Sequence, residues 1–220
     1  MDKTFYFNHL YPFQDKVLRV LDELGTGFYL TGGTAASRGY LNHRFSDDLD
    51  LFVNDDDRFG LWAERAIQAL VSHGDWRGDV LQREERFVRL ALLQGDIALK
   101  IEMVNDVPAR VGEIRAHPVL GRLDSPENIL ANKITALIGR EEAKDLADIW
   151  GFCCQMGLPI AGAIEGAQSK AAGVFPADLA RVLCSVTHAD WGLVRWNQAP
   201  EAEKFIADLR ELGERLLLVK

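Results

Sequence analysis

Apolar and polar positions along the chain predict a first half of alternating helices and strands. A helical repeat over 11–24 places Val17, Leu18 and Leu21 on one side. A polar turn at 54–57 is expected to cap a second helix, and its apolar stripe includes Trp62 and Leu70. Strands are predicted at 28–31, 48–53, 79–81, 87–93 and 97–104. This order predicts an α/β (α+β) fold, a small mixed β-sheet backed by helices.

The second half has the spacing of a helical C-terminal domain. The polar stretch 108–118 predicts a boundary, which gives a core domain at 1–107 and a helical domain at 108–220. Ser125 is expected to be the N-cap of the first helix, with Pro126 in the first turn. Further helices are predicted near 176–185 and 201–218.

A glycine pair followed by two alternating aspartates carries the first chemical signal. Asp48 and Asp50 fall on one face of a predicted strand, because side chains at i and i+2 project together. Two such carboxylates repel each other unless a cation lies between them, and Mg²⁺ prefers carboxylates together with substrate phosphates. Gly32 and Gly33 allow backbone N–H groups to approach a phosphate. The alternative is an ordinary turn before a solvated edge strand.

The predicted hairpin at 87–104 supplies a third carboxylate. Ile97, Leu99 and Ile101 alternate with polar positions, so Lys100 and Glu102 share the other face. By itself this pair is typical of a surface ion pair. After the glycine pair and the Asp-x-Asp, it favours a metal ligand beside a phosphate-facing lysine.

Together these segments resemble the AbiEii/AbiGii toxin-type nucleotidyltransferases of the polymerase-β-like superfamily. The similarity runs from Gly32-Gly33-Thr34 through the stretch 43–52 and Leu99-Lys100-Ile101-Glu102. It continues at 125–133 and closes with Arg140, Lys144, Asp145 and Asp148. Lys144 stands where arginine is usual in the family, and no motif matches after residue 157.

The resemblance implies metal-dependent transfer from a nucleoside triphosphate. Asp48, Asp50 and Glu102 would hold two Mg²⁺ ions, and Glu102 would bring the acceptor hydroxyl towards deprotonation. The residues expected to contact the nucleotide are Gly32, Gly33, Thr34, Arg44, Ser46, Lys100, Lys133, Arg140 and Lys144. Asp145 and Asp148 are expected to anchor basic side chains rather than metal. Two of these expectations have an alternative. In the first, Lys133 extends to solvent instead of to the nucleotide. In the second, Arg140, Lys144 and Asp148 form only a salt-bridge ladder along their helix.

Composition bears on partners and compartment. The net charge of −8 argues against a broadly basic nucleic-acid surface. A local one stays open, because the first 90 residues include Arg38, Arg44, Arg77, Arg83, Arg86 and Arg89. This arginine set is interpreted equally well as scattered ion pairs. No apolar run approaches the ~18 residues of a membrane span, and the three cysteines show no metal-binding spacing. A cytoplasmic enzyme without a membrane partner is expected.

The resemblance implies toxins that act on RNA such as tRNA and are controlled by a separate antitoxin. Two other classes remain open. One is a small-molecule (antibiotic-type) nucleotidyltransferase, which the net charge of −8 favours because its acceptor is cationic. The other is a non-catalytic descendant that binds a nucleotide or a partner protein.

Overall fold

The computed structural model describes residues 3–218, which form two compact units that interleave along the chain. Unit 1 comprises Met1–Ala35, Ser46–Pro108 and Glu113–Asp124. Unit 2 comprises Ala36–Phe45, Ala109–Gly112 and Ser125–Lys220. The units divide the chain differently from the predicted domains: 36–45 belongs to the helical unit, and 108 and 113–124 belong to the sheet unit.

Unit 1 contains the β-sheet and the helices that accompany it. The helices are α1 (Lys3–Phe5), α2 (Tyr11–Glu23), α3 (Gly32–Thr34) and α4 (Phe59–Val71), with a π-helical segment, Tyr6–Leu10, before α2. The strands are β1 (Tyr29–Thr31), β2 (Leu49–Asn54), β3 (Arg77–Arg83), β4 (Phe87–Gln94), β5 (Ile97–Asp106), β6 (Arg115–His117) and β7 (Gly121–Leu123).

Within residues 3–218, the seven strands lie in the order β3-β4-β5-β2-β1-β7-β6. β2 is parallel to β5 and antiparallel to β1, so the sheet is mixed, as predicted. Strands β6 and β7 were not predicted from the sequence. Each has three residues, which is too short for an alternating pattern to appear.

Alternation on the two central strands separates a buried face from a polar face. Leu49 and Leu51 of β2 and Leu99 and Ile101 of β5 are almost fully buried. The predicted stripe of α4 is also buried and consists of Phe59, Trp62, Ala66 and Leu70. Asp50, Lys100 and Glu102 therefore occupy the other face of the sheet, which confirms the alternation read from the sequence.

Unit 2 is helical. Its helices are α5 (Pro126–Arg140), α6 (Ala143–Trp150), α7 (Ile160–Gln168), α8 (Pro176–Cys184), α9 (His188–Leu193) and α10 (Ala202–Leu218). The π-helical segments Ala35–Leu41 and Gly151–Gln155 accompany them. Ser125 caps α5 as predicted, because its side chain accepts a hydrogen bond from the Asn128 N–H. Across residues 3–218, no helix is long and apolar enough to cross a membrane.

Candidate active site

Two carboxylates lie side by side on adjacent central strands. Asp50 of β2 and Glu102 of β5 are register partners in the parallel pair, so they project from the same face. Asp48 lies just before β2, and the Lys100 Nζ joins it to Glu102, at 3.0 Å from Asp48 Oδ2 and 3.2 Å from Glu102 Oε1. Asp50 and Glu102 therefore share a face as predicted, whereas a metal position shared by all three carboxylates stays a prediction.

The cation between these carboxylates is the ammonium of Lys100. Partial burial by itself would lower the pKa of Lys100, but the hydrogen bond to Asp48 and the charges of Asp48 and Glu102 raise it. About 40% of the Lys100 side chain and 42% of the Asp48 side chain remain exposed. Lys100 therefore stays charged and keeps contact with solvent, so it can exchange its partners.

The donor set has the chemistry that Mg²⁺ requires, namely carboxylate oxygens on one face beside a glycine turn. In residues 3–218, no group of three Asp, Glu, His or Cys side chains lies in a geometry that could hold a metal ion. The Lys100 ammonium bridges two of the proposed ligands in this arrangement. Metal binding by Asp48, Asp50 and Glu102 therefore stays a prediction.

Gly32 makes the closest approach to the carboxylate site. Its φ of +66° lies in the left-handed region, and a Cβ built there would lie 2.0 Å from Asp50 Oδ2. Any side chain at position 32 would therefore both strain the backbone and displace the Asp50 carboxylate. From the sequence, Gly32 was expected to let the backbone approach a phosphate. The structure shows a second reason for glycine, namely that the Asp50 carboxylate occupies the space of a side chain at position 32.

The segment that presents Asp48 is held from two sides by buried polar groups. Thr34 Oγ1 lies 3.0 Å from Ser46 Oγ and hydrogen-bonds to the backbone carbonyl of Asp48. The buried Gln14 side chain donates to the backbone carbonyl of Asp47 at 2.9 Å. Thr34 and Ser46 are buried and engaged with this segment, and their predicted phosphate contacts stay predictions.

Sequence reasoning missed two residues that contact this site. Gln14 is a polar residue within the buried stripe of α2, and such an interruption of an apolar pattern was the available signal. From the sequence, Arg89 was considered only as a member of the set of six arginines named within the first 90 residues. In the structure its Nε lies 2.8 Å from Glu102 Oε1. Its position opposite Glu102 follows from the hairpin register, in which Gln94 pairs with Ile97 around residues 95 and 96.

The predicted basic residues of unit 2 surround a buried carboxylate. Asp148 is fully buried and accepts hydrogen bonds from Arg44 Nε and Nη2, both at 2.7 Å. Lys133 Nζ lies 2.7 Å from Asp148 Oδ2, and His43 Nε2 lies 3.0 Å from Oδ1. Burial would raise the pKa of Asp148, but the charges of Arg44 and Lys133 and the hydrogen bonds hold it well below its ordinary value.

A second buried carboxylate, Asp145, extends this cluster. It lies 2.9 Å from Lys133 Nζ and 2.8 Å from Arg140 Nε. Burial would raise the pKa of Asp145, but the charge of Lys133 and the hydrogen bond from Arg140 lower it. As predicted, Asp145 and Asp148 anchor basic side chains.

Lys133 does not extend to solvent, because 6% of it is exposed. That interpretation of the lysine is wrong, since the two carboxylates provide partners inside the unit. The predicted salt-bridge ladder of Arg140, Lys144 and Asp148 is also corrected in part, because the two basic residues have other partners. Arg140 pairs with Asp145, and Lys144 Nζ lies 2.7 Å from Glu142 Oε2.

His43 completes the buried cluster. Burial lowers the pKa of His43 from its ordinary value of 6.5, against the raising effect of Asp148. Its Nδ1 has no hydrogen-bond partner among the residues that the structure describes. Burial therefore favours the neutral form of the His43 imidazole.

Arg44 and Lys144 line one pocket of unit 2. Its volume is about 380 Å³, and Glu141, Glu142 and Asp190 also line it. These carboxylates oppose the binding of a phosphate. Contacts of Arg44, Lys133, Arg140 and Lys144 with a nucleotide stay predictions.

Four arginines of the predicted set belong to unit 1, and they are paired with carboxylates. Each forms an ion pair within the sheet unit: Arg77 with Asp79, Arg83 with Glu64, Arg86 with Asp55 and Arg89 with Glu102. This favours the interpretation of these arginines as scattered ion pairs rather than as a nucleic-acid groove.

Three solved structures share the fold of this chain. MenT4, a nucleotidyltransferase toxin from Mycobacterium tuberculosis H37Rv, superimposes with a TM-score of 0.70 at 17% identity, over 96% of this chain and 84% of that chain. A candidate nucleotidyltransferase from Helicobacter pylori gives 0.64 at 20% identity, over 93% of both chains. JHP933, also from Helicobacter pylori, gives 0.63 at 20% identity, over 93% of this chain and 90% of that one. The fold is thus that of a nucleotidyltransferase.

Sequence comparison identifies the family. The family described as nucleotidyl transferase AbiEii toxin, type IV TA system, matches residues 16–163, which is more than half of the chain. The chain belongs to this AbiEii family of toxin nucleotidyltransferases. A search of curated protein sequences found no significant match.

Proposed function

We propose that this nucleotidyltransferase moves a nucleoside monophosphate from a nucleoside triphosphate to an acceptor hydroxyl and releases pyrophosphate, with Mg²⁺ as its metal. The observation that carries the proposal is the position of Asp50 and Glu102 side by side on β2 and β5. The ammonium of Lys100 contacts both Asp48 and Glu102, so Asp48 lies close to this pair. We assign metal binding to these three carboxylates, since carboxylate oxygens and substrate phosphates are the ligands Mg²⁺ prefers.

Bound Mg²⁺ would supply charge stabilisation at the reacting phosphates and hold nucleotide and acceptor in line. The protein's own groups bind and orient. Glu102 is the residue proposed to take the proton of the acceptor hydroxyl, and the charge of Lys100 is proposed to bind a phosphate of the nucleotide. The backbone N–H groups of Gly32 and Gly33 are proposed to approach a phosphate, and the missing Cβ of Gly32 leaves room for the Asp50 carboxylate.

The proposal relies on unit 1 for its chemistry. In unit 2, Arg44, Lys133 and Arg140 already donate to Asp145 or Asp148. For Arg44 or Lys133 to bind a phosphate, a buried ion pair would have to be given up, which is costly. We therefore propose that their main contribution is to hold the fold of unit 2.

We propose RNA, such as tRNA, as the acceptor, and a separate antitoxin as the controlling partner. The support is membership of a toxin family of type IV TA systems, together with the fold shared with MenT4. Chain charge gives no such support, because the net charge is −8 and four arginines of unit 1 are paired with carboxylates.

The same charge pattern favours a second candidate, transfer to a cationic small molecule such as an aminoglycoside. An acidic protein attracts a polycationic acceptor over a distance of about a Debye length. The site chemistry would be the same, and only the acceptor would differ.

The two candidates are separated by one labelling experiment. The protein is incubated with each of the four α-labelled nucleoside triphosphates and Mg²⁺, with total RNA or with aminoglycosides. We expect label in RNA, no label in the presence of EDTA, and none with Glu102→Gln. The matched control is Asp96→Asn, which removes an exposed carboxylate in the β4–β5 turn and should label as wild type does.

Label found only in the aminoglycoside would establish the second candidate. Equal labelling by Glu102→Gln and wild type would contradict the proposed site. Absence of labelling together with absence of nucleotide binding would favour a non-catalytic, partner-binding descendant.

A further inference from the structure

Glu102 receives both of its basic partners on one oxygen. Arg89 Nε lies 2.8 Å from Oε1, and Lys100 Nζ lies 3.2 Å from the same atom. In the described part of the chain, the other oxygen, Oε2, accepts no hydrogen bond from the protein. One oxygen of Glu102 is thus held by the protein, and the other is available to a cation or to an acceptor hydroxyl.

The two partners hold Oε1 in different ways. Lys100 is a flexible point charge that also binds Asp48, so it is shared between two carboxylates. Arg89 has a planar guanidinium, whose donors have a fixed geometry. A rigid donor selects one orientation of the carboxylate, whereas a shared ammonium does not.

Arg89 is itself fixed by the strands around it. It is the register partner of Glu102 across the antiparallel β4–β5 pair, which places the two side chains on one face. Its guanidinium lies 5.1 Å from the ring centre of Phe87, and its Nη1 lies 3.3 Å from Gln82 Oε1 on β3. Three neighbours thus limit the conformations of Arg89 before any ligand binds.

Register extends this arrangement into a row across four strands. Arg89 of β4 lies beside Glu102 of β5, Glu102 beside Asp50 of β2, and Asp50 beside Thr31 of β1. Glu102 therefore has a cationic neighbour on one side and a second proposed metal ligand on the other. The guanidinium holds Oε1 from the β4 side and leaves Oε2 without a hydrogen bond from the protein.

From this geometry we propose that Arg89 is a positioning residue, which orients Glu102 so that its Oε2 is available for metal binding and for the acceptor hydroxyl. The inference rests on the proposed function of Glu102. Residues that orient metal ligands in this way typically change metal affinity or activity by about 10-fold to 100-fold when they are replaced. A simple surface ion pair would have almost no such effect.

Arg89→Met, Arg89→Lys and the control Arg83→Met test this proposal. Arg83 is an arginine of the neighbouring strand β3, and its Nη2 forms a comparable ion pair at 2.9 Å from Glu64 Oε2. Each variant is titrated with Mn²⁺ without nucleotide, and melting temperature, kcat and KM are also measured. These readouts distinguish loss of the site's geometry from loss of the fold.

We expect Arg89→Met to weaken Mn²⁺ binding by about 10-fold or more and to lower kcat more than it changes the KM for nucleotide. Arg89→Lys keeps the charge without the planar donor, so it should restore only part of the affinity. Arg83→Met should bind Mn²⁺ as wild type does. In a Glu102→Gln background, Arg89→Met should have no further effect, because the two residues act as one unit.

Unchanged or tighter Mn²⁺ binding by Arg89→Met would overturn the proposal and leave Arg89 as a counter-charge only. Full rescue by Arg89→Lys would overturn it as well, because charge alone would then suffice. If wild type itself bound neither Mn²⁺ nor nucleotide, the proposed function would fail, and this inference would fail with it.

Discussion

Unit 1 and unit 2 each contain a cluster of carboxylates with basic partners, and the two clusters differ in their exposure to solvent. In unit 1, about 40% of Lys100 and 42% of Asp48 are exposed. In unit 2, Asp145 and Asp148 have no exposed side-chain surface, and about 7% of the Lys133 side chain is exposed. The same residue types are thus partly exposed to solvent in unit 1 and buried in unit 2.

This difference decides what each cluster can do. A buried charge is stable only while its partners remain, because removing one partner leaves an uncompensated charge in a medium of low dielectric. An exposed charge can exchange a protein partner for a metal or a phosphate at little cost, since water screens the change. We therefore propose a catalytic role for the cluster of unit 1 and a structural role for that of unit 2.

The largest effect is expected from Asp148→Asn. The change keeps the shape of the side chain but removes the charge that Arg44, Lys133 and His43 share, so the free energy of unfolding should fall by about 3–5 kcal/mol. Denaturant unfolding followed by circular dichroism measures it. Glu211→Gln removes one partner of an exposed ion pair in the same unit and should change stability by less than about 1 kcal/mol. Equal losses in the two variants would contradict the comparison.

Gly32→Ala should reduce both stability and nucleotide transfer. A Cβ at this position meets Asp50 Oδ2 at 2.0 Å, and the φ of +66° adds backbone strain of about 1–2 kcal/mol. Gly25→Ala provides the control, because Gly25 has a φ of +60° and a Cβ added there would have nothing within 4 Å. Both variants should lose stability, but only Gly32→Ala should lose transfer activity. Loss of transfer in both would indicate strain alone.

The pH dependence of stability should contain a smaller contribution from His43. The pKa of His43 in the folded protein lies below its ordinary value of 6.5, which applies to the unfolded chain. At a pH between the folded and unfolded pKa, the unfolded chain therefore binds more protons than the folded one. The free energy of unfolding should therefore fall as the pH drops below about 6.5. Unfolding at pH 7.5 and 5.5 measures this. His43→Gln should show a shallower decline, and an equal decline would show that other groups cause it.

Lys100→Met should have little effect on the free energy of unfolding and should increase the affinity for a divalent metal ion. The ammonium bridges Asp48 and Glu102, so removing it leaves two carboxylates whose repulsion a divalent ion can relieve. We expect tighter Mn²⁺ binding to the nucleotide-free protein and slower nucleotide transfer. Weaker Mn²⁺ binding would show that Lys100 supports the ligands rather than competes with the metal.

The sheet and the carboxylate face were predictable because both rest on local periodicity. Alternation on β5 placed Lys100 and Glu102 opposite Leu99 and Ile101, and the structure confirms it. The sequence could not show that a lysine two residues from Glu102 would supply the cation between the carboxylates. That contact depends on the register of β2 against β5, which is set by tertiary pairing.

The basic residues of unit 2 were harder to interpret from the sequence. Lys133 and Arg44 are far apart along the chain, and only the fold brings both to Asp148. A buried ion pair and a phosphate-binding lysine have the same sequence pattern, since both place a charge at the rim of an apolar stripe. Burial, which distinguishes them, is a property of packing.

The most direct test of the central claim is nucleotide transfer by Asp50→Asn, measured together with its free energy of unfolding. The change removes one negative charge at the centre of the proposed site and keeps the size of the side chain. We predict that nucleotide transfer is abolished while the free energy of unfolding stays within about 2 kcal/mol of wild type. A larger loss would be typical of breaking a buried hydrogen bond to a charged group. Asp96→Asn should retain both. Retained transfer, or a larger loss of stability, would contradict the assignment of chemistry to these carboxylates.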